Sequence, residues 1–257
     1  MRKVTLLIAI QVVFSTLLFS QTGRLAFTDD ISGGLHQVIY HRQEENLNTG
    51  KIDTNAHIKF YNGNFRFAGS IIGKKIFEDS DSPFYIGEYI QFNLGVGIGE
   101  KSGSSGSTYN GKTFNLLVGF NVGAAASYSI SEELTVGLKW IALGGDIYYD
   151  LDQNPVYLNG MTFHPTAQYK NFWASAGFGG KTSKEGDKYK TLDLEFRYNF
   201  SEDQEESKYV GVRYQTNGYK TDSNSTSSND GGVTFQTTTY RQSESIRSIG
   251  IFFGFFF

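Results

Sequence analysis

The sequence predicts an all-β protein, an antiparallel up-and-down transmembrane β-barrel of about 12 strands. Apolar residues alternate with polar or small residues over long stretches, and turn-forming residues separate these stretches. The chain also contains 22 Phe, 16 Tyr and 30 Gly but only 3 Pro. Aromatic residues suit pleated strands and glycine disfavours helices, so composition and periodicity predict the same class.

The alternation is clearest in residues 90–99, 114–130 and 192–200. Their even-numbered positions are all apolar or aromatic, whereas their odd-numbered positions are polar or small, apart from Leu117. A strand turns successive side chains to opposite faces, so each segment has one wholly apolar face. Runs of about ten residues with this alternation are typical of strands that cross a membrane in a barrel.

Asn62-Gly63 is the strongest short hairpin signal in the chain. A two-residue loop there would pair Phe60 with Phe65 and would set Lys59 opposite Arg66. The apolar faces of the two flanking segments then match, which supports this register.

Two further turns follow from the same requirement for matching faces. A two-residue loop at 170–171 and a three-residue loop at 131–133 each keep the apolar faces of their flanking strands together. The pairs predicted next to these loops are Tyr169–Phe172 and Ile130–Leu134.

The candidate strands are 35–42, 54–61, 64–72, 86–99, 113–130, 134–142, 161–168, 172–179, 189–200, 208–216 and 245–257. Single-chain bacterial barrels have an even number of strands. Residues 24–28 are therefore expected to be a twelfth strand, with ten strands as the alternative if 35–42 lies outside the wall. Long loops are expected at 101–112, 144–160, 179–188 and 217–232, and residues 233–242 should extend the last hairpin outward.

Residues 1–20 are predicted to be a signal peptide, and residues 21–257 the barrel domain. Arg2 and Lys3 precede an apolar stretch, and small or polar residues follow at 20–23. No later run approaches the ~18 apolar residues of a membrane-spanning helix. The balance of 23 Lys+Arg against 26 Asp+Glu gives no basic patch for nucleic acid, and there is no cysteine to form disulfides.

The C-terminal strand places Ile249, Ile251, Phe253, Phe255 and Phe257 on one face. This series resembles the C-terminal signature of Gram-negative outer-membrane β-barrel proteins, without pointing to one family among them. The resemblance implies outer-membrane lipid as surroundings, and it implies the barrel-assembly machinery and periplasmic chaperones as partners during biogenesis. A soluble secreted sandwich or small calyx with a hydrophobic last strand is the alternative.

No catalytic, metal or cofactor site is predicted. The phospholipase and lipid A deacylase barrels carry a histidine closely followed by serine and asparagine, and none of the four histidines here has that context. His57 and His164 are expected to point inward as hydrogen-bonding filler. Residues 150–154 (DLDQN) echo a calcium loop, but Pro155 stands where such a loop requires glycine.

Charged side chains are predicted to point into the barrel, and they carry the functional hypothesis. In one interpretation they line a narrow or gated passage for small polar or ionic solutes, as inward glycines at 95, 97, 99, 119 and 123 suggest. In the other they form a salt-bridged core of a non-conducting structural or surface-binding barrel. A lipid-modifying acyl hydrolase or transferase is a third, less favoured hypothesis. The predicted lumen charges are Lys59, Arg66, Asp193, Glu195, Arg197, Arg213 and Arg247.

Overall fold

The computed structural model describes residues 30–69, 83–105, 107–108, 111–131, 133–150, 155–200, 208–228 and 235–256. The predicted signal peptide, the proposed strand at 24–28 and Phe257 lie outside the described residues. Within the described part of the chain, no helix has the length and apolar character needed to span a membrane.

The described residues form strands that pair only in antiparallel fashion. The strands are β1 (Asp30–Asn46), β2 (Lys51–Gly69), β3 (Phe84–Ser105), β4 (Ser107–Thr108), β5 (Gly111–Ser129), β6 (Leu134–Asp150), β7 (Val156–Tyr169), β8 (Phe172–Ser183), β9 (Lys188–Asn199), β10 (Lys208–Ser228) and β11 (Phe235–Phe256).

The sheet closes on itself as an up-and-down barrel. Apart from the two-residue β4, which pairs with the end of β3, each strand pairs with its neighbours in chain order. The last strand β11 pairs with β1 from Asp30 opposite Phe256 to Asn46 opposite Tyr240. The described wall therefore has ten strands, the alternative count, and closure leaves no free edge.

The predicted hairpin at Asn62-Gly63 is wrong, because β2 runs straight through these residues. Asn62 is buried in the lumen, where its side-chain amide donates to Asn115 at 2.7 Å. The turn that joins β1 to β2 lies at 47–50, where Gly50 adopts a φ of 68°. Segment 54–61 and residues 64–69 of the next segment are thus two parts of one strand. Merging them, rather than removing 35–42, gives ten.

The other two predicted turns are confirmed. Tyr169 pairs with Phe172 across the loop at 170–171, and the amide of Ile130 donates to the carbonyl of Leu134 at 2.9 Å. In both cases the long alternating flanks left only one register that kept the apolar residues together.

The apolar residues of the alternating pattern face outward around the barrel. Leu35, Ile98 and Phe253 are 76%, 72% and 62% exposed, and every strand from β1 to β11 except β4 contributes large exposed apolar side chains or aromatic rings. Their inward-facing neighbours are polar or tightly packed. A continuous apolar exterior around a polar interior is the arrangement of a barrel in lipid.

The two ends of the barrel differ. Short turns at 130–133 and 170–171 lie at the end that holds the C-terminus, where the Phe172 and Tyr198 rings are 5.2 Å apart. At the other end, much of the predicted long loops is strand, since β3 reaches Ser105, β6 reaches Asp150 and β10 reaches Ser228. The predicted extension of the last hairpin is confirmed by the start of β11 at Phe235.

Candidate functional site: the lumen

An apolar layer crosses the lumen in the half near the 184–187 turn. It consists of buried side chains from β1, β2, β7, β9 and β11, all 1–3% exposed. Strands β2 and β7 stand on opposite sides of the ring, so their side chains meet only by reaching across the interior. The layer is therefore a packed core and not a lining. Its members are Val38, Ile58, Phe60, Leu158, Tyr189 and Ile246.

An ion-pair layer crosses the lumen near the C-terminal end. Arg66 on β2 donates to Glu195 on β9 at 2.8 Å and to Asp30 on β1 at 3.3 Å. Arg197 lies 2.8 Å from Asp30 and 2.6 Å from Glu195. All four side chains are less than 10% exposed. Two guanidinium groups and two carboxylates thus form one network that joins opposite walls.

Aromatic rings pack against the two arginines of the ion-pair layer. The Arg197 guanidinium lies 4.3 Å from the Trp173 ring and 4.8 Å from the Tyr209 ring. Arg66 lies 5.1 Å from the Phe252 ring. Guanidinium groups stack favourably on aromatic faces, so the rings both stabilise the cations and exclude water.

Between the two layers lies a central cavity with room for the centres of several water molecules, about 60 Å³. Two further ion pairs border it, Arg213 with Asp193 and Lys181 with Asp146. Neutral polar side chains from β1, β2, β3, β5, β7, β8, β9, β10 and β11 complete the lining. The middle of the lumen is therefore polar, with the apolar layer on one side and the ion-pair layer on the other.

The structure brings five of the seven predicted lumen charges together and places two on the outer face. Lys59 shares its face of β2 with the exposed Tyr61, whose ring lies 5.2 Å from its ammonium. Because β2 is unbroken, Lys59 and Arg66 have opposite parity, and the predicted pairing between them does not exist. Arg247 has the parity of the outward Ile249 and is itself exposed. The predicted charges that do face the lumen are Arg66, Asp193, Glu195, Arg197 and Arg213.

The histidines divide in the same way. His164 faces the lumen against Gly177, as predicted, and its ring nitrogen lies 2.9 Å from the Thr162 hydroxyl. His57 faces outward beside His41 and not inward, again because the hairpin at Asn62-Gly63 does not form. Among the described residues, no group of three metal-ligating side chains is close enough to hold an ion.

The sequence interpretation missed further charged lumen residues: Asp30, Lys139, Asp146 and Lys181, and also the buried Lys101 and Glu244 on the inward faces of β3 and β11. Asp30 precedes the predicted first strand, and Asp146 and Lys181 fall in stretches predicted to be loops. The inward direction of Lys139 could have been predicted, because its neighbours Leu138 and Trp140 are apolar and successive residues of a strand face opposite sides.

Comparisons with known proteins give structural likenesses but no family. No family model and no curated protein matches the sequence. By structure, the chain is similar to the transport unit of the autotransporter AIDA-I from Escherichia coli, with 11% identity, 97% of each chain covered and a TM-score of 0.39. It is also similar to the outer membrane protease OmpT from Escherichia coli, with 8% identity over 93% of this chain and 99% of that chain and a TM-score of 0.30. The P. putida toluene transporter TodX is 11% identical over 95% and 92% of the two chains, with a TM-score of 0.28. At TM-scores below 0.5 these likenesses carry no argument about function. The chain is a closed antiparallel β-barrel, and the solved structures that it resembles are outer-membrane β-barrels.

Proposed function

We propose that this protein is an outer-membrane barrel that does not conduct in its resting form, and that serves as a scaffold for a polar sheet outside the membrane. The observation that supports this proposal is the presence of two separate packed layers across the lumen. One is apolar and one is ionic, and each joins opposite walls by direct contact. A solute would have to displace both.

The membrane setting is supported by the outer surface and by the chain end. The exterior is an apolar band formed by all ten wall strands. The outward face of β11 carries Ile249, Ile251, Phe253 and Phe255, all 46–62% exposed. An apolar exterior of this kind is stable in lipid and would aggregate in water. Together with the predicted signal peptide, it supports location in an outer membrane with the C-terminus on the periplasmic side.

The sheet that the scaffold holds is formed by β10 and β11 beyond the wall. Strand β9 pairs with β10 only as far as Gly218, whereas β10 and β11 remain paired up to Ser228 and Phe235. The adjoining turn at 47–50 adds hydrogen bonds, such as that from the Asn48 side chain to Thr237. The extension is rich in serine, threonine and asparagine, and its hydroxyl and amide groups are exposed for contact.

Planar-bilayer recording tests the closed lumen. We expect no stepwise conductance from the refolded wild-type barrel. The variant Phe60→Ala/Leu158→Ala empties the apolar layer, and Arg66→Ala/Arg197→Ala empties the ion-pair layer. Either pair alone should leave one barrier and little current, whereas the four substitutions together should produce open channels. Heat-modifiable gel mobility checks that each variant is folded. Resting conductance in the wild type would overturn the proposal.

A gated passage is the second candidate, and the central cavity is the observation that favours it. Its lining is polar, and its ion pairs are held by flexible side chains that have alternative partners, since Arg213 lies within 4.0 Å of Glu195 as well as next to Asp193. A passage of this kind requires a condition that opens both layers. Voltage ramps in the same recordings distinguish the two candidates, because only a gated barrel shows openings at any applied potential.

A further inference from the structure

Three buried hydroxyl groups lie in one row across four neighbouring strands of the lumen. Ser127 on β5 pairs with Gly137 on β6, Gly137 pairs with Thr166 on β7, and Thr166 pairs with Ser175 on β8. The three hydroxyl-bearing residues are 2–6% exposed. None of the three hydroxyl oxygens has a hydrogen-bond partner among the described residues. We call these three residues the hydroxyl row.

Lys139 lies next to the hydroxyl row, two residues from Gly137 on the same face of β6. It is 6% exposed, and its ammonium lies 5.1 Å from the Tyr89 ring and 5.2 Å from the Trp173 ring. No carboxylate of the described residues lies within ion-pair distance of it. The nearby Glu195 is already engaged by Arg197 at 2.6 Å and by Arg66 at 2.8 Å.

The charge balance of this part of the lumen points to a missing anion. The ion-pair layer and the cavity lining contain five Lys and Arg side chains but four carboxylates, an excess of one positive charge. An uncompensated buried charge is strongly unfavourable. The residues counted are Arg66, Lys139, Lys181, Arg197 and Arg213, with Asp30, Asp146, Asp193 and Glu195.

We propose that Lys139 and the hydroxyl row bind one monovalent anion of the size of chloride inside the lumen. The Lys139 ammonium and the three hydroxyl groups can all donate hydrogen bonds. The three hydroxyl groups have no acceptor among the described residues. Water could accept hydrogen bonds from the hydroxyl groups but would not neutralise the excess positive charge. A single negative charge satisfies both, and the central cavity, which Lys139 and Ser175 help to line, has room for a small ion.

Trp173 makes the site observable, because bromide and iodide quench tryptophan fluorescence on contact. The chain contains two tryptophans, and Trp140 faces outward, so Trp140→Phe leaves Trp173 as the reporter. The protein is refolded with increasing bromide at constant ionic strength, with sulfate as the balancing salt. We expect saturable quenching that chloride reverses in competition.

Lys139→Met in the same background should weaken bromide binding at least tenfold. Lys190→Met, which removes an exposed lysine from the outer face of β9, is the matched control and should leave the titration unchanged. Quenching that is absent, or that rises linearly and equally in both variants, overturns the proposal. If Lys139→Met fails to fold, bromide anomalous scattering from wild-type crystals decides, and the absence of a peak beside Lys139 has the same meaning.

Discussion

Replacing Arg66 with methionine tests whether the ion-pair layer is a desolvated structural core. Arg66 is 7% exposed, and it holds Glu195 and Asp30 on two other strands. Methionine keeps much of the side-chain length and removes the charge. Two buried carboxylates then each lose one cationic partner, while the aliphatic packing is largely retained.

Removing one partner of a buried ion pair costs about 3–5 kcal/mol. Asp30 and Glu195 both keep Arg197, at 2.8 Å and 2.6 Å, so we expect a loss near the lower end, about 3 kcal/mol. Arg247→Met is the matched control, because it makes the same change on the exposed outer face. Substitutions of that kind usually change the free energy of unfolding by less than about 0.5 kcal/mol.

The free energy of unfolding is measured by urea titration in phospholipid vesicles, followed by tryptophan fluorescence. A double variant, Arg66→Met/Glu195→Gln, removes one cation and one carboxylate and so keeps the lumen charge of the wild type. It should recover part of the loss, because the ion-pair layer then holds one carboxylate, Asp30, and one guanidinium, Arg197. If Arg66→Met and Arg247→Met have equally small effects, the layer is hydrated, and the closed lumen loses its main physical support.

Three further predictions address the register, the chain end and the extended hairpin. Gly63→Ala should be neutral or stabilise the barrel by up to about 1 kcal/mol, since a Cβ there lies 3.9 Å from its nearest neighbour. Gly50→Ala should cost about 1 kcal/mol, because Gly50 has a φ of 68°. Urea titration measures both changes, and the opposite ranking would support a hairpin at Asn62-Gly63. Deleting Phe257 should reduce the amount of heat-modifiable barrel in the membrane fraction, and insertion at the wild-type level would contradict the role assigned to the C-terminal signature. The hydrogen bond from Arg241 lowers the pKa of Asp222, so this contact is present above the ordinary carboxyl pKa and is lost as the pH falls through the lowered value. Arg241→Gln should raise the pKa of Asp222 in an NMR titration, and an unchanged pKa would show that the pair does not persist in solution.

The barrel class could be predicted from the sequence because a two-residue period forces an outside and an inside. Long alternating segments such as 114–130 allowed one register only, and both turns judged by matching faces were confirmed. The error came from local turn chemistry. Asn62-Gly63 has the residues of a tight hairpin, but burial of Asn62 against Asn115 in the lumen outweighs that preference. One misplaced turn then inverted the parity of Lys59 and His57.

The ion-pair layer could be predicted in kind but not in membership. Asp193, Glu195 and Arg197 alternate with apolar residues on β9, so their inward direction followed from the pattern. Asp30 is essential to the same network, yet no alternation around it marked a strand. Which carboxylate meets which guanidinium across the lumen depends on how opposite walls approach one another. The alternation along a single strand gives no information on the distance between side chains of opposite walls.

The glycines of the inner face show why side chains pack across the lumen where the sequence suggested a narrow or gated passage. A missing side chain makes space, but in this barrel a neighbour occupies it. A Cβ on Gly97 would overlap the Asn62 side chain, and one on Gly177 would overlap His164. A Cβ on Gly211 would overlap the Phe252 ring. The glycines thus allow long side chains from adjacent strands to lie flat and reach toward the axis. A small residue on one strand and a large one on the next is the pattern of a packed core. Inward glycine therefore indicates an open pore only where the facing residues of the neighbouring strands are small as well.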